Sequence, residues 1–363
     1  MIGRVTLLVA IVLVTIGAFS YGRAMLAPSD LPLSIKTVEW VRDNGGAGLV
    51  SFAERVFYTA TAPQTGGPAL RSLASFGATG TLPSGPGRVI GAIAPMLPNE
   101  GVWRGTGRSV LGGVPVRETI FRPEAAYPRQ LAYAVWIDTS RVRLELYPGR
   151  VEPPAANPRG PMEVPHSLRG RLLATFNSGF TFKDARGGFA VRGKTIEPMR
   201  FGQATVIEYA DGRVDVMSWK GGASVGSDVV LARQNLPLIV ENGRPSPKLA
   251  DDSAWGITLG NSVRVWRSAL GIDAHGNLIY LAAPGQTAAS IAGAMIRAGA
   301  VRAMQLDINA YWPTCITYGR NGVRSATMFV PNHRRTAARY LTPGDRDFFA
   351  VYAAPALRTG PGR

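Results

Sequence analysis

The segment from Val263 to Trp312 constrains this chain more than any other, because it reads as two strands, a helix and a third strand that ends on a lone carboxylate, Asp307. The first strand, Val263 to Gly271, should alternate its faces residue by residue, which puts Arg267 on the same side as Val263, Val265 and Ala269. A guanidinium on an apolar face cannot shed its proton, so Arg267 calls for an anionic partner. The turn Asp273-Ala274-His275-Gly276-Asn277 returns the chain as a hairpin into Leu278 to Ala283. Gly285 breaks that strand, Thr287 is placed to cap a helix, and Ala288, Ile291, Ala292, Met295 and Ala298 recur at helical spacing until Gly299. Val301 to Leu306 is short and apolar enough for a buried strand. The expected result is a βαβ crossover over about 278–307 with a parallel pair, and Asp307 sits at its carboxyl end, where sites are usually built.

Elsewhere strands outnumber helices. Leu131 to Asp138 reads as a strand, followed by the alternating Val142, Leu144 and Leu146. Leu172 to Phe176, Gly188 to Val191, Ala204 to Tyr209, Val214 to Trp219 and Leu236 to Val240 continue the pattern, with Asp211-Gly212 and Asn242-Gly243 as turns. The expected fold class is therefore α+β, with a mixed, mostly antiparallel sheet and one crossover.

Between Arg4 and Arg23 lies the uncharged, apolar run Val5 to Gly22, of a length at the border between a signal-peptide core and a short membrane span. No small-x-small cleavage site follows, which favours an uncleaved signal anchor. After it, Ile35, Val38 and Val41 line one short helix and Leu49, Phe52, Ala53 and Val56 another, split by Asp43-Asn44-Gly45-Gly46. The expected divisions are a signal anchor or transmembrane helix at 1–27, a membrane-proximal helical segment at 28–62, a Pro/Gly-rich loop region at 63–100, the main domain at 101–355 and a flexible tail at 356–363. A single-pass protein of the cell membrane with its main domain extracytoplasmic is the expected location, or a secreted one if the segment is cleaved.

The formal net charge of +16 raises the question of nucleic acid, but no aromatic-basic RNA motif, zinc finger or recognition helix is present. For an exported chain, anionic headgroups or phosphate-bearing envelope polymers are the better-matched partners. The single cysteine, Cys315, excludes an intrachain disulfide and reads as a small buried residue. Three scattered histidines with no HExxH pattern or cysteine pair argue against a dedicated zinc site, and no cofactor is expected.

Thr175-Phe176-Asn177-Ser178-Gly179-Phe180 leaves an apolar strand for a polar turn, where Asn177 and the Gly179 backbone can offer donors to an oxyanion or a sugar hydroxyl. Taken alone, Asn-Ser-Gly is also an ordinary turn. Together with the carboxyl-terminal half, it resembles the phosphodiester glycosidase family. Asn177-Ser178-Gly179-Phe180 is similar to that family's Asn-Gly-Gly-Phe-Phe turn, and Leu236 to Gly243 to its apolar strand and polar-Gly turn. Arg267-Ser268-Ala269-Leu270-Gly271 with Asp273 and Gly276 resembles its Arg-Thr-Ala-x-Gly strand. Gly285 to Asp307 resembles its Gly-x-Thr helix leading into Ala-x-x-Leu-Asp. The likeness covers about residues 170 to 320. After Asp307 the chain departs: Ile308-Asn309-Ala310-Tyr311-Trp312 stands where the family carries Gly-Gly-Gly-Ser, whose bare amides could cradle a phosphate.

The resemblance implies a hydrolase of sugar phosphodiesters or related glycosidic linkages, acting on a phosphorylated or anionic glycan. Asp307 would act in proton transfer, Arg267 would bind phosphate and Asn177 would position the sugar, with Gly179, Asn309, Tyr311, Trp312 and Asp273 as substrate contacts. Asn309 brings a side-chain amide, and Tyr311 and Trp312 bring rings that stack on sugars. Structural readings stand beside these. Arg267 can simply partner Asp307, Asn177 can fix its own turn and Asp273 can close its hairpin. At the level of the whole chain, the alternative is a non-catalytic binding or scaffold protein for anionic envelope polymers on the same fold.

Overall fold

The computed structural model describes residues 2–68, 70–73, 89–251, 255 and 263–355. The expected tail at 356–363 and residues 69 and 74–88 of the expected loop region lie outside them. The chain divides into two compact units, Met1–Phe57 and Tyr58–Arg363.

The first unit is helical. Helix α1 (Ile2–Leu26) contains a 23-residue stretch, Arg4–Leu26, long and apolar enough to cross a membrane. Helices α2 (Leu33–Val41) and α3 (Ala47–Ala60) follow, separated at Arg42–Gly46, where Asn44 and Gly45 leave helical geometry. That break falls where the Asp-Asn-Gly-Gly sequence predicts one.

The second unit is built on an eight-stranded sheet in the order Arg104–Gly105, Val116–Phe121, Ala132–Ile137, Leu278–Gln286, Val265–Ile272, Arg302–Gln305, Leu238–Glu241, Arg244–Pro245. Two five-stranded sheets complete it. One runs Lys194–Glu197, Phe189–Val191, Val229–Gln234, Ala204–Tyr209, Val214–Ser218; the other runs Ala326–Met328, Cys315–Tyr318, Leu172–Asn177, Phe348–Ala353, Val142–Tyr147. The class is α+β, mostly antiparallel.

Period-2 alternation along the large sheet makes two cores. Leu270, Leu278, Tyr280 and Ala282 face one core with Phe176, Phe349, Val206 and Leu231 of the smaller sheets. Ala269, Ile279, Leu281 and Ala283 face the other, against Ile291, Ala292 and Met295 of helix α5 (Ala288–Arg297). Each large apolar side chain buried under α5 contributes roughly 1.5–3 kcal/mol. Thr287 caps α5 through a reciprocal pair with Ser290, which satisfies two otherwise orphan amides.

The crossover forms, but not as a parallel ladder. Leu278–Gln286 and Arg302–Gln305 run in the same direction on opposite sides of Val265–Ile272, and each pairs with it antiparallel. The hairpin partner occupies the slot that adjacent parallel strands would need. Asp307 still leaves the end of the third strand, beside Ser268 in the middle of Val265–Ile272.

Candidate functional site

Asn177 closes the strand Leu172–Asn177 of one small sheet, and Asp307 follows the strand Arg302–Gln305 of the large one. Ser268 joins them. Its backbone N–H donates to the Asp307 carbonyl at 2.9 Å, and its Oγ accepts from the Asp307 amide at 3.1 Å and from Asn177 Nδ2 at 3.0 Å. Asn177 also donates to the Ser178 carbonyl at 2.8 Å, while its Oδ1 accepts from the Tyr280 hydroxyl at 2.8 Å and the Thr314 amide at 3.1 Å. Two donors and two lone pairs are the whole capacity of a carboxamide, and all are used inside the fold. The structure therefore places Asn177 as a brace between the two sheets behind Asp307.

The Asp307 carboxyl is buried. Its Oδ1 accepts from the Asn309 amide at 3.0 Å and its Oδ2 from Arg346 Nη2 at 3.1 Å. Burial raises it from 3.8 to about 6, against the pull of Arg346 and of the Asn309 and Ile308 amides, with a further push from the Asp184 charge. Asp184 sits in the first turn of helix α4 (Phe182–Ala185), held by the Thr181 hydroxyl at 2.7 Å. Glu152 is also buried nearby and raised by burial, and Arg346 and Arg233 draw it back down. Asp307 and Glu152 thus share the field of one arginine, Arg346, and burial holds both above the ordinary carboxylate range.

Arg346 is the residue that the sequence reading missed. It donates to the Gly179 carbonyl at 3.0 Å as well as to Asp307, and its guanidinium lies 4.6 Å over the Trp312 ring. The signal was there in Asp345-Arg346-Asp347, a charged triplet directly before the apolar run Phe348–Ala353, which forms the strand beside Leu172–Asn177. Next to it, Arg233 pairs with Asp347 at 2.7 Å and donates to the Phe180 carbonyl at 2.8 Å, pinning the 178–182 turn from the other side.

Arg267 does not join this group. Residues 267 and 268 point to opposite faces, and with Ser268 on the Asp307 side, Arg267 enters the α5 side. There it donates to the Gln286 carbonyl at 2.8 Å, to Gln305 Oε1 at 2.6 Å and to the Val263 carbonyl at 3.1 Å. Backbone carbonyls take the place of the expected partnership with Asp307. Asp273 is also elsewhere: it accepts from the His275 and Asn277 amides at 2.8 and 2.9 Å and from Trp136 Nε1 at 3.0 Å. It lies five residue steps along the strand from Ser268, about 17 Å.

Gly179 and the post-Asp307 loop stay at the site. A Cβ on Gly179 would lie 2.9 Å from Cγ of Asn235, whose amide reaches across to the carbonyls of Gln305 and Leu306. Close approach, rather than a special φ, is what requires glycine there. Asn309 makes a local turn, its Oδ1 accepting from the Tyr311 amide at 3.0 Å. Tyr311 and Trp312 are buried edge-to-face, with centroids 5.2 Å apart. Arg335 lies 3.8 Å over Tyr311, and Arg339 5.5 Å from Trp312. The rings expected to stack on a sugar are covered by guanidinium groups instead. Among the described residues no group of three or more His, Cys, Asp or Glu side chains is arranged to hold a metal.

Residues 170–307 match the phosphodiester glycosidase family. The match spans the Asn177 turn and ends on Asp307, and it supports a hydrolase of phosphodiester-linked sugars. No curated protein matches the chain. Among solved structures, the catalytic domain of zebrafish N-acetylglucosamine-1-phosphodiester alpha-N-acetylglucosaminidase, auto-inhibited by its pro-peptide, is 14% identical, with 70% of this chain and 88% of that chain covered and a TM-score of 0.44. A hypothetical protein from Synechocystis is 11% identical, with 69% and 65% covered and a TM-score of 0.39. A putative exported protein from Burkholderia pseudomallei is 14% identical, with 61% and 74% covered and a TM-score of 0.32. The assignment rests on the family match.

Proposed function

We propose that this phosphodiester glycosidase relative is a membrane-anchored, extracytoplasmic hydrolase that cleaves the bond between a sugar and a phosphodiester in an anionic envelope glycan. The observation that carries the reading is the buried Asp307 carboxyl, raised to about 6 and bridged to the 178–182 turn by Arg346. Asp307 in its protonated form would give its proton to the glycosidic oxygen as the bond from that oxygen to the anomeric carbon breaks. Arg346 would carry the phosphate, the role first expected of Arg267, because a guanidinium matches two phosphate oxygens at once. Water would add to the anomeric carbon and pass its proton to Asp184. Asn177 and Ser268 would act as positioning residues for Asp307. The apolar helix α1 and the net charge of +16 support the anchored, polyanion-facing setting.

Purified full-length protein, assayed for sugar release from a phosphodiester-linked sugar, tests this. Loss of a general acid is worth about 10²–10⁴ in rate. Asp307→Asn should fall by that factor. Equal release by wild type and variant would remove Asp307 from the chemistry. Binding of an anionic glycan with no turnover by either protein would instead support the alternative, a non-catalytic binding protein on the same fold.

A further inference from the structure

Helix α3 carries a second, unassigned surface. Leu49, Phe52 and Val56 are 70%, 66% and 52% exposed, and their spacing gathers them within about 60° of one another on one stripe of the helix. A soluble surface rarely leaves three large apolar side chains uncovered together on one helix stripe. Glu54, about 160° around the helix from Val56 at 100° per residue, is paired with Arg42 at 2.8 Å. The polar side of α3 is therefore held toward the Arg42–Gly46 break, and the apolar stripe faces away from it.

The same unit says what covers the stripe. The side chains of α1 from Ile11 to Ile16 are exposed all round, as a lipid-facing helix requires. Its carboxyl end is marked by residues that favour a headgroup boundary. Tyr21 packs edge-to-face on Trp40 at 5.2 Å, Trp40 Nε1 donates to Ser20, and Lys36 donates to the Ala27 carbonyl at 2.8 Å. These contacts hold α2 at that boundary, and α3 begins only five residues after α2 ends. We propose that α3 is an interfacial helix, seated in the bilayer surface through Leu49, Phe52 and Val56, and thus a second membrane contact beside α1. The proposal rests on the reading of α1 as a membrane span.

The test uses full-length protein in phosphatidylcholine–phosphatidylglycerol vesicles, carrying an environment-sensitive fluorophore on Phe52→Cys, Val56→Cys or Arg55→Cys. Cys315 is fully buried and leaves the introduced thiol as the reactive one. Fluorophores at 52 and 56 should be quenched by spin-labelled lipid at least threefold more than the one at 55, with emission shifted to the blue. Equal quenching at all three positions would overturn the proposal while leaving α1 as an anchor. Cross-linking of 52 to 52 between copies without lipid quenching would overturn it in favour of a second copy as the occupant. Failure of the protein to stay with vesicles on flotation would overturn both this proposal and the anchored reading.

Discussion

Replacing Glu118 by glutamine should leave stability nearly unchanged in acid and raise it by about 3.5 kcal/mol above pH 8. Glu118 lies on Val116–Phe121, buried between the large sheet and a small one, where its carboxyl accepts from the Thr317 hydroxyl. Burial pushes it from 4.5 up to about 7, and the Thr317 hydrogen bond offsets only part of that. The folded state holds this proton more tightly than the unfolded chain does. Its contribution is therefore complete below about pH 4.5 and is lost as pH rises through 7, beyond which the group is ionised in both states. The interval of about 2.5 pH units, at about 1.4 kcal/mol each, gives about 3.5 kcal/mol.

Glutamine keeps the shape and still accepts from Thr317, but it has no charge to bury. Thermal unfolding of the protein at pH 4, 6 and 9 measures the difference, and at about 2–4 °C per kcal/mol it amounts to roughly 7–14 °C at the alkaline end. Glu208, raised to about 8 by burial, titrates in both proteins and cancels from the comparison. Parallel stability profiles for wild type and Glu118→Gln would refute the reasoning, since they would mean that Glu118 is solvated or paired in the folded state.

Two further outcomes follow from the site. On the proposed mechanism activity should fall as pH rises past about 6, where Asp307 loses its proton; because Arg346 holds that carboxyl down, Arg346→Met should lower the rate and move the same limb to higher pH, as read from kcat/KM against pH. Asn177→Ala should cost about 2–5 kcal/mol in unfolding free energy, since it strands the Thr314 amide in a dry interior and leaves the Tyr280 hydroxyl only its long 3.4 Å bond to the Thr314 carbonyl, and chemical denaturation would show it.

Much of the large sheet was legible because its signals are local. Thr287 and Gly299 bound α5, Asp273 and Gly276 close the hairpin, and period-2 alternation marks Val265–Ile272. What was not legible depends on which strand lies between which. Nothing near Asp307 says that Val265–Ile272 will separate the two crossover strands, and nothing near Arg267 says that three carbonyls will meet its guanidinium. The same limit hid Arg346 and Glu152. The first follows the match region by about forty residues, and the second stands directly before Pro153-Pro154 with no strand or helix period around it, yet the amide of Glu152 bonds the Asp345 carbonyl and brings both to the site.

The loop after Asp307 shows what replaces the glycines found there in the family. The Asn309 amide donates back to the Asp307 carboxylate, the Tyr311 amide to Asn309 Oδ1 and the Trp312 amide to the Asn309 carbonyl. Those N–H groups are spent inside the loop, so they do not form an anion-binding nest. Positive charge arrives by another route: Arg335, Arg339 and Arg346 converge on the Tyr311–Trp312 pair, whose rings hold the guanidiniums by their faces. A nest of amides binds through fixed dipoles, whereas guanidiniums carry full charges on longer arms. On the proposed reading, then, phosphate recognition here is charge-driven and screened by salt, and Trp312 serves it indirectly, by fixing where Arg346 can stand relative to Asp307.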